Sequence, residues 1–295
     1  MSAGSPPRPL ELTRLAAGHL AGRGVEDPRL EAELLLAHVL GLRRLDLYLQ
    51  FERPLEPGEV EAYRAAVRRR AAREPLQYIT GEAAFRELTL AVDPRVLIPR
   101  PETEVLAGEV LAWAAGRESC VALDLGTGSG AIALSLLREG PFRRVVATDP
   151  SADALDVAVE NARRHGLSER LETRRGRSWE PIGDDEEFDV IVANPPYVAD
   201  SERGSLMPEV VDHEPAGALF AGPDGLAVIR EIAAGAAERL APGGLVALEV
   251  GLGQAGPAAG LLRDGGLEEV RVVEDLTGRE RIVLGHGIPR TTNGM

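Results

Sequence analysis

Two short stretches carry residues whose types and spacing can do chemistry. The first is Asn194-Pro195-Pro196-Tyr197, directly after the apolar run Val190–Ala193. Two prolines cannot donate to a strand ladder, and Pro195 keeps Asn194 out of helical geometry, so a strand stops there in a stiff polar corner. The Asn194 side-chain oxygen and the Pro195 carbonyl can each accept one hydrogen of an –NH2 group. That grip aims the nitrogen at an incoming group and favours its pyramidal, nucleophilic form, while Tyr197 can stack on a flat substrate. Adenine N6, cytosine N4 and a glutamine amide all fit such a corner.

The second stretch is LDLGTGSGAIAL, with Gly126, Gly128 and Gly130 between a strand and a helix. Glycine permits the turn and lets a ligand approach the backbone, and the helix N-terminus offers unpaired N–H groups. Asp149 closes the next strand about 20 residues on, where a carboxylate accepts from ribose hydroxyls. A bound nucleoside cofactor is the expectation. The spacing is G-x-G-x-G rather than the G-x-G-x-x-G of nicotinamide folds, and Asp124 precedes it. A helix N-terminus suits a carboxylate and an acidic neighbourhood suits an ammonium, so the pattern favours S-adenosylmethionine, a methyl donor.

These residues need a scaffold, and the rest of the chain reads as one. From about Leu10 to Arg73 the apolar spacing is helical. DPRLEAELLLAHVLGL has Asp27 as N-cap and Pro28 at the first helical position, and the next helix starts at Pro57. Phe85, Leu88, Leu90 and Val92 suggest a short hairpin, followed by a stretch stiffened by Pro94, Pro99 and Pro101. Strands and helices then alternate, with Ser151 as the N-cap of one helix and Gly166 just past its end. Alternation of this kind predicts a parallel sheet covered on both faces. Two closing strands around Thr277-Gly278 imply an antiparallel strand at that edge. The expected fold is α/β, a Rossmann-like sheet with a small N-terminal helical domain. The boundaries are a disordered lead-in at 1–9, a helical domain at 10–80, a hairpin and connector at 81–102, the cofactor domain at 103–287 and a tail at 288–295.

Composition narrows the function. The formal net charge of −14 argues against sequence-independent binding to nucleic-acid phosphates. One cysteine, Cys120, rules out a disulfide within the chain and fits a reducing cytosol. No apolar run reaches the roughly 20 residues that span a bilayer. His19, His38, His165, His213 and His286 are scattered, with neither HExxH nor CxxC, so no metal site is expected.

Taken together, these residues resemble the HemK/PrmC-type protein-(glutamine-N5) methyltransferases that modify peptide chain release factors. The similarity runs through EPLQYITG, VLIPRPETE, LDLGTGSGAIAL, ATDPSADALDVAVENARRHGL, VANPPYV, EPAGALFAGPDGL and EDLTGRERIVLG. The glycine and NPPY motifs are common to many methyltransferases; QYITG and IPRPETE upstream make the combination specific. The resemblance implies a seven-stranded class I methyltransferase sheet; the expected enzyme is cytoplasmic and monomeric. It assigns Gly126, Thr127, Gly128, Ser129 and Gly130 to the methionine end of S-adenosylmethionine, Asp149 to the ribose and Trp179 to the adenine. Asn194, Pro195, Pro196 and Tyr197 would hold the glutamine of the GGQ motif, with Asn194 also beside the cofactor.

Two departures from the family pattern stand out. Ser178 precedes Trp179 where an acid is common, and Ala221-Gly222 replaces a double glycine. The family's helical domain docks the release factor, and Arg68–Arg73 (RRRAAR) could belong to that surface, although a solvated helix face is the simpler reading. A ribosomal-protein glutamine N5-methyltransferase, or an adenine-N6 methyltransferase of nucleic acid, are the alternatives. A non-catalytic Rossmann-like binding module and a nicotinamide oxidoreductase lie further off.

Overall fold

Proline at the first helical position, where its missing N–H is no loss, opens three N-terminal helices: α1 (Pro9–Ala21), α2 (Pro28–Leu40) and α4 (Pro57–Ala71). Between and after them lie α3 (Arg44–Leu49) and α5 (Leu76–Thr80). The computed structural model describes residues 7–50 and 52–288. Positions 1–6, 51 and 289–295, which hold most of the expected lead-in and the tail, lie outside the described residues.

The described chain divides into two compact units. The first takes the residues up to Gly81 together with Met207–His213, and the second takes Glu82–Leu206 and the residues from Glu214 on. Leu20, Leu35, Leu36 and Tyr63 are buried in the first unit's own core.

Two local expectations for the helical unit hold only in part. Asp27 stands at the N-cap of α2 but takes left-handed backbone, and its side chain makes no cap bond. Asp is one of the few residues that tolerate that conformation. The arginine run is a solvated face only in part, since Arg68 and Arg69 are exposed. Arg70 is buried and pairs with Glu31 and with Glu209, the latter at 2.9 Å, while Arg73 reaches Glu209 at 2.6 Å. The reason is topological: the short helix α9 (Pro208–His213) brings an acidic partner from far along the chain. Arg68 and Arg69 pair locally with Glu61 and Glu74.

The second unit opens with the expected hairpin, β1 (Glu82–Phe85) and β2 (Leu88–Ala91). Helix α6 (Pro101–Ala114) follows. Then come β3 (Cys120–Leu125), α7 (Ala131–Glu139), β4 (Phe142–Asp149), α8 (Ala152–Arg164), β5 (Leu171–Arg175) and β6 (Phe188–Ala193). The remaining elements are α10 (Ala227–Arg239), β7 (Leu240–Glu249), α11 (Ala255–Asp264), β8 (Glu268–Glu274) and β9 (Glu280–His286). Ser151 caps α8 by accepting from Ala154 N–H at 3.2 Å, and Gly166 lies just past the helix with φ 70°.

The sheet has seven strands in the order β5-β4-β3-β6-β7-β9-β8. β9 is antiparallel to both neighbours. The antiparallel strand expected at the edge therefore sits one place in, with β8 outside it. Alternate residues of the central strands face two cores, as in a sheet covered on both sides. Ala122, Val145, Val190 and Val192 meet α6, α7 and the hairpin. Leu123, Val146, Ile191 and Val246 meet α10 and α11.

Candidate active site

Strand register aligns the ends of the central strands. Leu125, the last residue of β3, lies opposite Thr148 of β4 and Ala193 of β6. Gly126, Asp149 and Asn194 therefore leave the sheet side by side, where the strand order reverses and open α/β sheets bind ligands. The register continues into β7: Leu248 lies opposite Ala193, and Glu249 comes next.

The glycine turn is built for its backbone. Gly126, Gly128 and Gly130 have φ of 77°, 55° and 83°, a region that strains any side chain. A Cβ on Gly130 would also press on Leu134 and Ala158 at 3.2 and 3.3 Å. Gly128 N–H donates to Asp149 Oδ2 at 3.0 Å, and Ser151 N–H donates to Oδ1 at 2.9 Å. Burial pushes the Asp149 carboxyl up, against those two bonds. Asp124 is fully buried and pushed up to about 7 by burial. Its Oδ2 accepts from Thr127 Oγ1 at 2.7 Å and Ala133 N–H at 3.2 Å, and its Oδ1 has no partner. Asn161 of α8 ties the turn to the hairpin: its Nδ2 donates to Ser129 O and Ala91 O, and its oxygen accepts from Ala91 N–H.

A cavity of about 620 Å³ opens at these strand ends, lined by Gly126, Gly128, Asp149, Asn194, Pro195 and Pro196 among others. Thr127, Ser129 and Gly130 are buried within the turn and do not line it. Ser178 does line it, and its Oγ is buried without a hydrogen-bond partner. Ala221 and Gly222 line it as well. They are held by the bridge between Val198 and Phe220, with Ala221 N–H donating to Val198 O and Asp200 N–H donating to Gly222 O, each at 3.0 Å.

Two expected side chains are not in the cavity wall. Ser178 has φ 49°, and the chain turns there so that Trp179 packs on α10. The Trp179 indole N–H donates to Glu231 O at 2.8 Å, and its ring lies against Gly235 and the core on that side of the sheet. Tyr197 is likewise drawn aside, its ring beside Gly251 and its hydroxyl 3.4 Å from Glu249 Oε1. Its carbonyl accepts from Gln254 Nε2 at 2.9 Å. The carbonyl also packs so tightly on Gly225 that a Cβ there would come within 2.2 Å of it. The corner is thus clamped from the backbone.

A further pair emerges at the corner. Asn194 Nδ2 donates to Thr103 Oγ1 at 2.9 Å, and Thr103 Oγ1 donates to Glu249 Oε2 at 2.6 Å. Both partners are buried. Sequence reasoning passed over them, although a glutamate in the apolar strand LVALEV is itself a signal, since charged residues are seldom fully buried unpaired. Among the described residues, no cluster of His, Cys, Asp or Glu could hold a metal, and no helix is long and apolar enough to cross a membrane.

Comparison with known proteins places the chain in a family. A family model described as "PrmC N-terminal domain" matches residues 11–81, and one described as "Methyltransferase small domain" matches residues 103–219. The Geobacter sulfurreducens protein named release factor glutamine methyltransferase is 44% identical over 268 residues, covering 91% of this chain and 93% of its own. The protein of that name from Chlorobaculum tepidum is 44% identical over 283 residues, covering 92% and 95%. Among solved structures, the T. thermophilus 16S rRNA N2 G1207 methyltransferase in complex with AdoMet and guanosine shares the fold. It has a TM-score of 0.52 and 20% identity, over 70% of this chain and 49% of that one. A methyltransferase sheet, a cavity at its switch point and relatives matched nearly end to end point the same way: the chain belongs to the release factor glutamine methyltransferase family.

Proposed function

We propose that the chain transfers the methyl group of S-adenosylmethionine to the side-chain amide nitrogen, N5, of the glutamine in the GGQ motif of peptide chain release factors. The observation that carries this reading is the register that brings Gly126, Asp149 and Asn194 together around one cavity, in a chain 44% identical to relatives of that name.

The residues present fit the cofactor. The cavity is within the size range of small-molecule sites, about 300–1,000 Å³. Each Asp149 oxygen accepts one backbone N–H and keeps a lone-pair site for a ribose hydroxyl. The unpartnered Ser178 Oγ offers a hydroxyl to a heterocycle in place of the acid common in the family. Trp179 is withdrawn from that role by its bond to Glu231 O.

When bound, S-adenosylmethionine supplies an electrophilic methyl group on a sulfonium. The chain's residues prepare the nucleophile. Asn194 Oδ1 and the Pro195 carbonyl take the two amide hydrogens of the glutamine, which turns the nitrogen lone pair out of conjugation with its carbonyl. These acceptors raise the rate to the extent that they fit the pyramidal nitrogen better than the planar one. Pro195 and Pro196 keep them from reorganising, and the fixed distance between nitrogen and methyl supplies the rest by proximity. As the N–C bond forms the sulfur–methyl bond breaks and its electron pair stays on sulfur as a neutral thioether; the nitrogen becomes acidic once methylated, so its proton leaves late, to solvent.

The acting chain is proposed to be cytoplasmic and monomeric, with the release factor as its partner. Labelled S-adenosylmethionine, offered together with purified release factors, ribosomal proteins and duplex DNA, tests the assignment. Mass spectrometry should find the label on the GGQ glutamine. Label on a ribosomal-protein glutamine or on adenine N6 would replace this reading with one of the alternatives.

A further inference from the structure

Asn194 can grip a substrate –NH2 only through its oxygen. Turned over, the same amide would present two donors to a group that is itself a donor. Something must choose between the two orientations, and the chain Asn194 Nδ2, Thr103 Oγ1, Glu249 Oε2 is placed to do it, at 2.9 and 2.6 Å.

We propose that Thr103 and Glu249 are positioning residues that fix the direction of the Asn194 amide through a one-way chain of hydrogen bonds. An ionised carboxylate only accepts, so it claims the Thr103 hydroxyl hydrogen. Thr103 then has only lone pairs to offer Asn194, and only the –NH2 end of the amide can meet them. The Oδ1 end is left as the acceptor turned from Thr103, on a residue that lines the cavity. Two elements supply the pair: the first turn of α6 brings Thr103, and the register of β7 brings Glu249 to the level of Asn194. The inference rests on the reading that Asn194 accepts from the substrate amide.

The chain runs one way only while Glu249 is ionised. Protonated, it donates to Thr103, whose hydrogen then turns to Asn194 and draws its oxygen away from the substrate. The groups facing the carboxyl are Thr103 and Glu102 from α6, Tyr197 from the corner after β6 and Arg281 from β9. Burial pushes it up to about 7, with Glu102 acting in the same sense and Thr103, Tyr197 and Arg281 pulling it down. The reversal therefore falls near neutral pH.

The test compares Thr103→Val, Thr103→Ser, Glu249→Gln and Asn194→Ala with the wild type. It reads single-turnover methyl transfer to a release factor across about pH 5.5–9, together with substrate KM and the S-adenosylmethionine Kd. Thr103→Val keeps the shape and loses the hydroxyl, and its rate should fall ~10–100-fold, the range for leaving a buried polar partner unpaired. Thr103→Ser keeps the hydroxyl and should retain the rate within ~3-fold. KM and the cofactor Kd should move little in either. The wild-type rate should fall as pH drops below about 7, and Glu249→Gln should lose that acid limb at a lower plateau. A Val variant as active as wild type, or an acid limb that survives in Glu249→Gln while the S-adenosylmethionine Kd, which reports on Asp124 at the glycine turn, stays constant over the same pH range, overturns the proposal. Should Thr103→Val fail to fold, the pH profile of Glu249→Gln decides. If Asn194→Ala is also fully active, the failure belongs to the functional reading. If Asn194→Ala alone is inactive, that reading stands and only the positioning chain falls.

Discussion

Asp149 Oδ2 accepts the backbone N–H of Gly128 at 3.0 Å. The carboxylate proposed to bind the ribose therefore also holds the glycine turn in shape, with Ser151 N–H fixing its other oxygen at 2.9 Å. Ligand and loop depend on one side chain.

Asp149→Ala should accordingly weaken S-adenosylmethionine binding by about 1–3 kcal/mol, the range for leaving buried hydrogen-bonding partners unpaired. Calorimetric titration measures it directly. An unchanged dissociation constant would remove Asp149 from the cofactor site.

Asn194→Ala separates substrate handling from cofactor binding. The side chain meets Thr103 within the protein, the residue lines the cavity, and its proposed work is on the glutamine amide. The variant should lose about 99% or more of methyl transfer, the scale seen when one electrostatic partner of a transition state is deleted. Cofactor affinity should stay within ~3-fold. Equal losses of both would make Asn194 a cofactor or folding residue.

Trp179→Phe tests the displaced aromatic. The indole N–H satisfies Glu231 O at 2.8 Å, and its loss leaves that carbonyl short of a partner. Stability measured by urea unfolding should drop by about 1–2 kcal/mol, while cofactor affinity is unaffected. A tenfold weaker cofactor at undiminished stability would put the ring back against the adenine.

Much of this site was legible because its residues announce backbone needs. Gly126, Gly128 and Gly130 sit at positive φ, and Pro195-Pro196 end a strand; both are local demands written in single residues. Alternating strands and helices gave the sheet for the same reason. What stayed hidden depends on pairing across the chain. Helix α6 was passed over because Pro94, Pro99 and Pro101 read as a stiff connector, although proline at the first helical position is also a start signal. With it went Thr103. Glu249 acquires its meaning only from the β6–β7 register, and Arg70 only from Glu209, 139 residues later. The family resemblance assigns Trp179 to the adenine, and the left-handed turn at Ser178 aims it at the core instead.

The buried carboxyl of Glu249 should also leave a signature in stability. Its ordinary value is 4.5, and burial pushes it up to about 7 in the folded chain. Between those values the folded state holds a proton that the unfolded state has released, so stability falls as pH rises through that window. The contribution is fully present below about pH 4.5 and gone above about 7. In Glu249→Gln the residue is neutral throughout, so the variant should gain on the wild type by about 1–3 kcal/mol between about pH 5 and 8. Asp124, also pushed up to about 7, is present in both proteins and cancels in the difference. Urea midpoints at the two pH values measure the gain, and a difference that does not change with pH would mean that Glu249 is ionised in the folded protein across the whole range.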